Sequence, residues 1–179
     1  MMKALALIFS GFEEEEAVAP FALFKRAGGE LTICSNNKTV MGSHGITLTN
    51  IELIANVNYK EYDCLIIPGG AHYKYLDESN TVHEIISHFF DNNKLVCGIC
   101  AAPTVFGRLG YLKGKNYTCF TAMNKDFGGF YQDKGVVIDG NLITARSVAY
   151  SIDFAYAIIE KTLGHDALKW IQDRIYYEK

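Results

Sequence analysis

The chain has 179 residues, of which 49% are hydrophobic and 21% charged, and its formal net charge is -3. A chain of this length can bury most of its unfolded surface in one core without disulfides or metals, so we expect a single domain over residues 1–179. The weak negative charge excludes the basic field that attracts nucleic acid or an anionic membrane. Small molecules or other proteins are therefore the expected partners.

The start of the chain indicates a cytoplasmic protein. The apolar residues 3–9 are far fewer than the roughly 18 needed to cross a bilayer, and the glutamates that follow do not resemble a signal-peptide cleavage region. The chain has five cysteines, an odd number whose spacing does not resemble that of a disulfide-bonded protein. Such a set is typical of a reducing compartment, where each cysteine is a free thiol with its own role.

Short apolar runs alternate with stretches of helical period along the chain, a pattern that predicts βαβ units around a parallel sheet. The predicted strands cover 3–10, 31–34, 63–68 and 94–98, with an extended segment or small hairpin at 40–50 and a hairpin formed by 136–138 and 142–145. The predicted helices cover 13–27, 81–92, 101–109, 151–163 and 166–176. In such a sheet the functional site forms beyond the carboxyl ends of the strands.

Cys100 stands where a buried strand gives way to a helix, with Gly98 two residues before it and Ala102 two residues after it. This spacing matches the G-x-S-x-G nucleophile elbow, with cysteine in place of serine and alanine in place of the second glycine. In such an elbow, small flanking residues let the chain turn sharply and expose the middle side chain. A helix N-terminus beneath the sulfur favours the thiolate. We therefore predict that Cys100 is a reactive cysteine and that Cys34, Cys64, Cys97 and Cys119 are structural.

Cys97 and Cys100 also form a C-x-x-C pair, which occurs in redox and zinc sites. Three residues of extended chain separate their α-carbons by about 10 Å, whereas a disulfide needs less than about 7 Å. A zinc site would need two more ligands, and neither a second C-x-x-C nor an H-x₃-H is present. We therefore expect neither a disulfide nor a metal site here.

Glu16 is the glutamate of the run 13–16 that we assign to the site, because it lies beyond the first strand, at the same edge of the sheet as Cys100. A carboxyl group facing a thiolate should have a raised pKa and could shuttle a proton. The other three glutamates are interpreted as a solvated first helical turn that complements the helix dipole.

Gly69 and Gly70 follow a strand directly, so their N–H groups could form an oxyanion hole with the N–H of Ala101, although a simple tight turn fits the same glycines. Three further side chains lie in loops near strand ends and could contact an anion or a carbonyl group: His44, His72 and Arg146. No histidine follows Cys100 directly, so the sequence does not indicate a Cys-His pair.

Four motifs in order then resemble the ThiJ/PfpI superfamily, in the branch of the parkinsonism-associated protein deglycase and its bacterial relatives. The resemblance spans essentially the whole chain and rests on F-E-E-E-E-A-V-A-P at 12–20, Y-D-C-L-I-I-P-G-G at 62–70, C-G-I-C-A-A-P-T at 97–104 and L-I-T-A-R at 142–146. It implies an α/β fold of the flavodoxin-like type, a three-layer sandwich with a mostly parallel sheet, and usually a homodimer.

The resemblance also implies roles for individual residues. Cys100 matches the oxidisable nucleophile, Glu16 the protonated glutamate beside it, Gly70 the second glycine of the turn, and Arg146 an arginine that helps to hold an anion. The implied activity is glyoxalase III or deglycase chemistry on a small carbonyl substrate, an α-oxoaldehyde, with no cofactor and no metal.

Two alternatives remain open. The cysteine could serve a redox-sensing or chaperone-like stress protein by oxidising to a sulfinate, or it could serve a cysteine amidase or another hydrolase. Ala101 replaces the histidine that peptidase members carry after the cysteine, so peptidase activity is not expected. Phe120 occupies a place where some relatives carry a histidine, and its loss favours the redox alternative.

Two further departures concern the walls of the pocket. His44 stands where relatives often have another anion-binding arginine, and residues 147–150 read S-V-A-Y in place of the usual G-P-G-T. We therefore expect a pocket of altered shape and charge.

Overall fold

The computed structural model describes residues 2–176; Met1 and residues 177–179 of the predicted domain lie outside this range. The described chain forms strands β1 Lys3–Leu7, β2 Glu30–Ser35, β3 Thr39–Met41, β4 Thr47–Thr49, β5 Glu52–Leu53, β6 Cys64–Ile67, β7 Leu95–Ile99, β8 Asn116–Tyr117, β9 Phe130–Tyr131, β10 Val136–Asp139 and β11 Leu142–Ala145. Its α-helices are α1 Glu14–Arg26, α2 Tyr73–Glu78, α3 Asn80–Asp91, α4 Ala102–Arg108, α5 Ser151–Leu163 and α6 His165–Ile175.

A central sheet in the order β10-β11-β7-β6-β1-β2-β5 organises the molecule. Its pairs are parallel except for the β10–β11 hairpin at one edge. After β1 the chain moves outward to β2 and then returns to place β6 on the other side of β1. This reversal creates a crevice beyond the carboxyl ends of β1 and β6, where α/β proteins bind ligands.

The strands in the middle of the sheet are buried on both faces, which explains their continuous apolar sequence. In β6, Cys64 and Ile66 belong to the core cluster that packs under α1 and α5, whereas Leu65 and Ile67 belong to the cluster that packs under α3 and α4. Helices therefore cover both faces, and the predicted three-layer α/β sandwich with a mostly parallel sheet is confirmed.

Most predicted elements agree with the structure, and the segment predicted at 40–50 contains most of an antiparallel hairpin formed by β3 and β4, which begins at Thr39. The first strand is shorter than predicted and ends at Leu7, because the chain turns towards Gly11, whose φ is +89°. Among the strands and α-helices, those not predicted are short: α2, β5 and the β8–β9 pair. They hold too few residues to show a hydrophobic period. Within residues 2–176, no helix has the length and apolarity to cross a membrane.

Candidate active site

Cys100 forms a sharp turn between β7 and α4. Its φ is +62°, a left-handed conformation that costs a residue with a side chain roughly 1–2 kcal/mol. Two hydrogen bonds maintain it: the Cys100 N–H donates to the carbonyl oxygen of Ala145 (2.9 Å), and its own carbonyl oxygen accepts from the N–H of Phe120 (2.8 Å). The strained turn leaves the side chain half-buried, as in a nucleophile elbow.

The small residues around the elbow are required by packing. A β-carbon at Gly98 would lie 2.5 Å from the ring of Phe106, which is fully buried beneath the turn. Ala102 is also fully buried. Larger side chains at these two positions would push α4 away from the end of β7.

Cys97 faces away from the chemistry of the elbow. It is completely buried, and its sulfur lies 3.9 Å from the sulfur of Cys64 on the neighbouring strand. The five cysteines are free thiols, and Cys100 is the one that is not buried. The four others therefore occupy the structural positions that the sequence indicates.

The Glu16 carboxyl group lies against the Cys100 side chain. It is 1% exposed, and its Oε2 atom accepts a hydrogen bond from the Gly69 N–H at 2.9 Å. Burial raises the pKa of Glu16 to about 7, although the hydrogen bonds with Cys100 and Gly69 counteract part of the rise. A carboxyl group with this pKa can accept and release a proton near neutral pH.

The electrostatic environment of the sulfur differs from the sequence prediction. Burial raises the pKa of the Cys100 thiol, and the adjacent Glu16 carboxylate raises it further, while the N–H of Ala101 lowers it. Desolvation and the neighbouring negative charge therefore raise the pKa of the thiol by more than the N-terminus of the short helix α4 lowers it. Because the two groups repel when both are ionised, ionisation of one raises the pKa of the other.

Gly69 holds Glu16 rather than an oxyanion, which corrects the role predicted for its N–H group. A β-carbon at this position would lie 2.6 Å from the β-carbon of Cys100 and 3.0 Å from the backbone nitrogen of Ala101. The glycine therefore allows the carboxyl group and the elbow to approach each other. Gly70, with a φ of +99°, pairs with Phe12 in an isolated bridge.

His72 is a buried structural residue, not the anion-binding loop residue considered from the sequence. Its Nε2 donates to the carbonyl oxygen of Pro68 (2.8 Å), and its Nδ1 accepts from the N–H of Phe9 (3.2 Å). Burial lowers the pKa of His72 to about 4, so the ring is neutral at physiological pH. It ties the end of β1 to the end of β6, with both ring nitrogens engaged.

The glutamate run at 13–16 is less solvated than predicted. Glu14 is buried, and its Oε1 atom accepts from the backbone N–H groups of His44 (2.7 Å) and Ile46 (3.3 Å). These bonds lower the pKa of Glu14 although burial acts in the opposite direction. Glu14 therefore fixes the loop between β3 and β4 to the start of α1. No spacing rule reveals this role, because the loop lies about 30 residues away in sequence.

The remaining predicted site residues divide into two groups. Phe120 stands beside the elbow through its backbone bond to Cys100, and its side chain is 43% exposed. His44 and Arg146 instead contact carboxylates: the Nδ1 atom of His44 lies between Glu13 and Glu14, and Arg146 pairs with Asp133. Their expected contact with a bound anion stays a prediction.

The fold and the site together define an α/β protein with a cysteine elbow and an adjacent buried carboxyl group at the switch point of a parallel sheet. The model of the DJ-1/PfpI family matches residues 2–161. The chain belongs to the DJ-1/PfpI family.

Relatives extend over most of the chain. An uncharacterised protein of Methanocaldococcus jannaschii is 35% identical over 156 residues, covering 83% of this chain and 76% of its own. Protein dj-1beta of Drosophila melanogaster is 30% identical, covering 93% of this chain and 92% of its own, and Deglycase PfpI of Pyrococcus furiosus is 32% identical, covering 81% and 90%. The crystal structure of Drosophila DJ-1beta superposes with a TM-score of 0.93 at 29% identity, covering both chains completely.

Proposed function

We propose that this protein is a cytoplasmic, cysteine-dependent enzyme of the glyoxalase III or deglycase type that acts on small α-oxoaldehydes without a cofactor. The observation that carries the proposal is the pairing of the half-buried Cys100 thiol with Glu16, whose pKa is raised to about 7 by burial. Relatives named as deglycases, including that of Pyrococcus furiosus, support the same class of chemistry.

The reaction begins with the attack of the Cys100 sulfur on the aldehyde carbon while the thiol proton passes to the Glu16 carboxylate. The carbonyl oxygen is protonated, which gives a hemithioacetal. Removal of the proton from the former aldehyde carbon, and its delivery to the neighbouring carbon, converts the hemithioacetal into a thioester of a 2-hydroxy acid. Water then releases the acid and restores the thiol. One aldehyde and one water yield one hydroxy acid, so no external oxidant or reductant is needed.

The walls of the site suit a small carbonyl compound. The Ala101 N–H faces the sulfur, and with the N–H of Gly70 it forms the proposed oxyanion hole, since the Gly69 N–H is already bound to Glu16. We also assign an apolar wall of the site to Phe120, whose N–H donates to the Cys100 carbonyl oxygen and whose side chain is exposed. With this side chain in place of an imidazole, Glu16 is the group that moves protons.

The test is the formation of lactate from methylglyoxal by the purified protein. The wild-type protein should produce lactate without added metal or nucleotide, and Cys100→Ser should reduce the rate to the uncatalysed background, because a serine hydroxyl is a much weaker nucleophile. Cys119→Ser is the matched control, since it removes a buried thiol and should retain activity. Equal rates for the wild type and Cys100→Ser would refute the proposed function.

A redox-sensing role is a second candidate, and the distribution of thiol burial favours it. Cys100 is the one cysteine with an exposed surface, and Glu16 can donate a hydrogen bond to an oxidised sulfur. Mass spectrometry after mild peroxide treatment should show oxygen added to the peptide containing Cys100 before any other cysteine. Oxidation spread evenly over the five cysteines would contradict this role.

The hydrolase alternative gains no support from the site. Both ring nitrogens of His72 are engaged by the backbone, and the Nδ1 atom of His44 lies between two carboxylates. A cysteine amidase or peptidase would need a base that can approach its substrate, and in the described residues Glu16 is the titratable group that contacts the sulfur.

We also propose that the protein is a homodimer that associates through an apolar groove. The groove, about 560 Å³ in volume, lies between α1, the β3–β4 hairpin and the start of α5. Val18, Ile46 and Val148 line it and are exposed in the single chain. Contiguous apolar surface of this kind is typical of an interface.

Sedimentation analysis should give the mass of a dimer, and Val18→Glu should shift the protein to the monomer by placing a charge in the groove. Ile138→Glu on the far edge strand β10 is a matched control, because Ile138 is also an exposed aliphatic residue but lies outside the groove. A monomeric wild-type protein would contradict the proposed dimer.

A further inference from the structure

A second cluster of reactive side chains lies outside the Cys100–Glu16 pair. It consists of Glu13, Glu14 and His44, whose ligand atoms all lie within 4.8 Å of one another. The glutamates come from the start of α1, and the histidine comes from the loop between β3 and β4. The cluster therefore forms only when these two segments pack together.

Two of the distances within the cluster match the coordination shell of a small divalent ion. The Nδ1 atom of His44 lies 3.3 Å from Oε1 of Glu13 and 3.1 Å from Oε2 of Glu14. Metal–ligand bonds of about 2.1 Å place neighbouring ligands about 3.4 Å apart in a tetrahedron and about 3.0 Å apart in an octahedron. An ion could therefore bind His44 with either carboxylate oxygen at these distances, and the two carboxylate oxygens lie within 4.8 Å of each other.

The surrounding backbone holds the ligands in position. The second carboxylate oxygen of Glu14 is fixed by the N–H groups of His44 and Ile46, and a β-carbon at Gly42 would collide with the Glu14 carboxyl group. Glu13 is anchored through its backbone N–H, which donates to the carbonyl oxygen of Gly69 at 2.9 Å. Hydrogen bonds and packing contacts of this kind, made by the residues around the ligands, orient the ligands in known metal sites.

The charge of the cluster also favours a cation. Two carboxylates face one imidazole, and in the part of the chain that the structure describes, the ion pairs of Glu13 and Glu14 are made with His44 alone. No lysine or arginine of residues 2–176 neutralises the second negative charge through an ion pair. In the single chain the His44 side chain is 69% exposed, which leaves space for water in the coordination shell.

We propose that Glu13, Glu14 and His44 form a binding site for a divalent transition-metal ion, with Zn²⁺ as the best match. An imidazole ligand selects zinc, cobalt or nickel over magnesium and calcium, which prefer an all-oxygen shell. Three protein ligands leave a position for water, as in open zinc sites. The cysteine spacing and the family resemblance both indicate no metal, whereas these three ligands meet only in the folded chain. The site does not depend on the proposed activity of Cys100.

Isothermal titration of the untagged, metal-free protein with zinc chloride tests the proposal, with thiols kept reduced by a phosphine that does not bind zinc. We expect one equivalent of zinc to bind. His44→Gln and Glu13→Gln should each lower the affinity by about 10–100-fold or more, since even outer-shell changes have effects of this size. His165→Gln is the matched control, because His165 is an exposed histidine that faces a single carboxylate, Glu160.

Titration of Cys100→Ser distinguishes this site from zinc binding by the reactive thiol. The variant should bind zinc as tightly as the wild-type protein; loss of binding in Cys100→Ser, or unchanged binding in His44→Gln, would overturn the proposal. Absence of binding to the wild-type protein at millimolar zinc would also overturn it. Because His44 is exposed and its backbone contact to Glu14 survives substitution, His44→Gln should keep the wild-type unfolding temperature.

Discussion

Replacement of Glu16 with glutamine is expected to lower the turnover of an α-oxoaldehyde by about 10²–10⁴-fold, the usual contribution of a general acid or base. The glutamine amide can still accept the hydrogen bond from the Gly69 N–H and donate one to the Cys100 sulfur, so the geometry of the site is preserved. It cannot accept the thiol proton. Since burial and the nearby carboxylate raise the pKa of the thiol, the sulfur depends on that transfer.

Steady-state kinetics across pH measure this effect and separate it from substrate binding. The wild-type kcat should increase as the pH rises through about 7, because Glu16 then becomes the carboxylate that accepts the proton. Glu16→Gln should lose this rise while KM changes little. Glu15→Gln, an exposed neighbour on the same helix, should retain the wild-type profile. An unchanged profile in Glu16→Gln would assign the proton transfer to another group.

The same carboxyl group should make the stability of the protein depend on pH. The pKa of Glu16 is raised from 4.5 to about 7 in the folded protein, so the folded state binds its proton more tightly than the unfolded state. The stabilisation from this proton is complete below pH 4.5 and is lost as the pH rises through 7. The full stabilisation is about 3 kcal/mol. Most of this amount, though not all, is lost between pH 5 and pH 8.

Urea denaturation at pH 5 and pH 8, under reducing conditions, tests this linkage. The free energy of unfolding of the wild-type protein should fall relative to that of Glu16→Gln by about 2–3 kcal/mol between the two pH values, because glutamine does not titrate. Comparing the two proteins cancels the other titrating groups. A difference that stays constant with pH would show that the folded protein does not raise the pKa of Glu16.

The geometry of the elbow could be predicted because it is encoded locally. A buried strand, small residues at 98 and 102, and a cysteine between them are adjacent in sequence, and the left-handed turn follows from their order. The parallel sheet was predictable for the same reason, since apolar runs that are continuous rather than alternating indicate strands covered on both faces. The position of Glu16 made it a candidate, and the family resemblance strengthened its assignment over that of its neighbours.

The electrostatics of the site depended on distant contacts. The predicted thiolate rested on the helix N-terminus alone, whereas the sulfur is partly desolvated and lies against Glu16 from another element. The burial of Glu14 and the neutral state of His72 likewise arise from backbone groups far away in sequence.

The sequence by itself determined the place of the candidate nucleophile: a cysteine at the end of a buried strand, at the carboxyl edge of a parallel sheet. Short-range sterics and hydrophobic pattern are sufficient for that. Only the tertiary structure decided the proton balance of the Cys100–Glu16 pair, the engagement of the Gly69 N–H and the meeting of His44 with Glu13 and Glu14. These properties depend on desolvation and on distances between segments that are separated in sequence, and they exist only once the chain is packed.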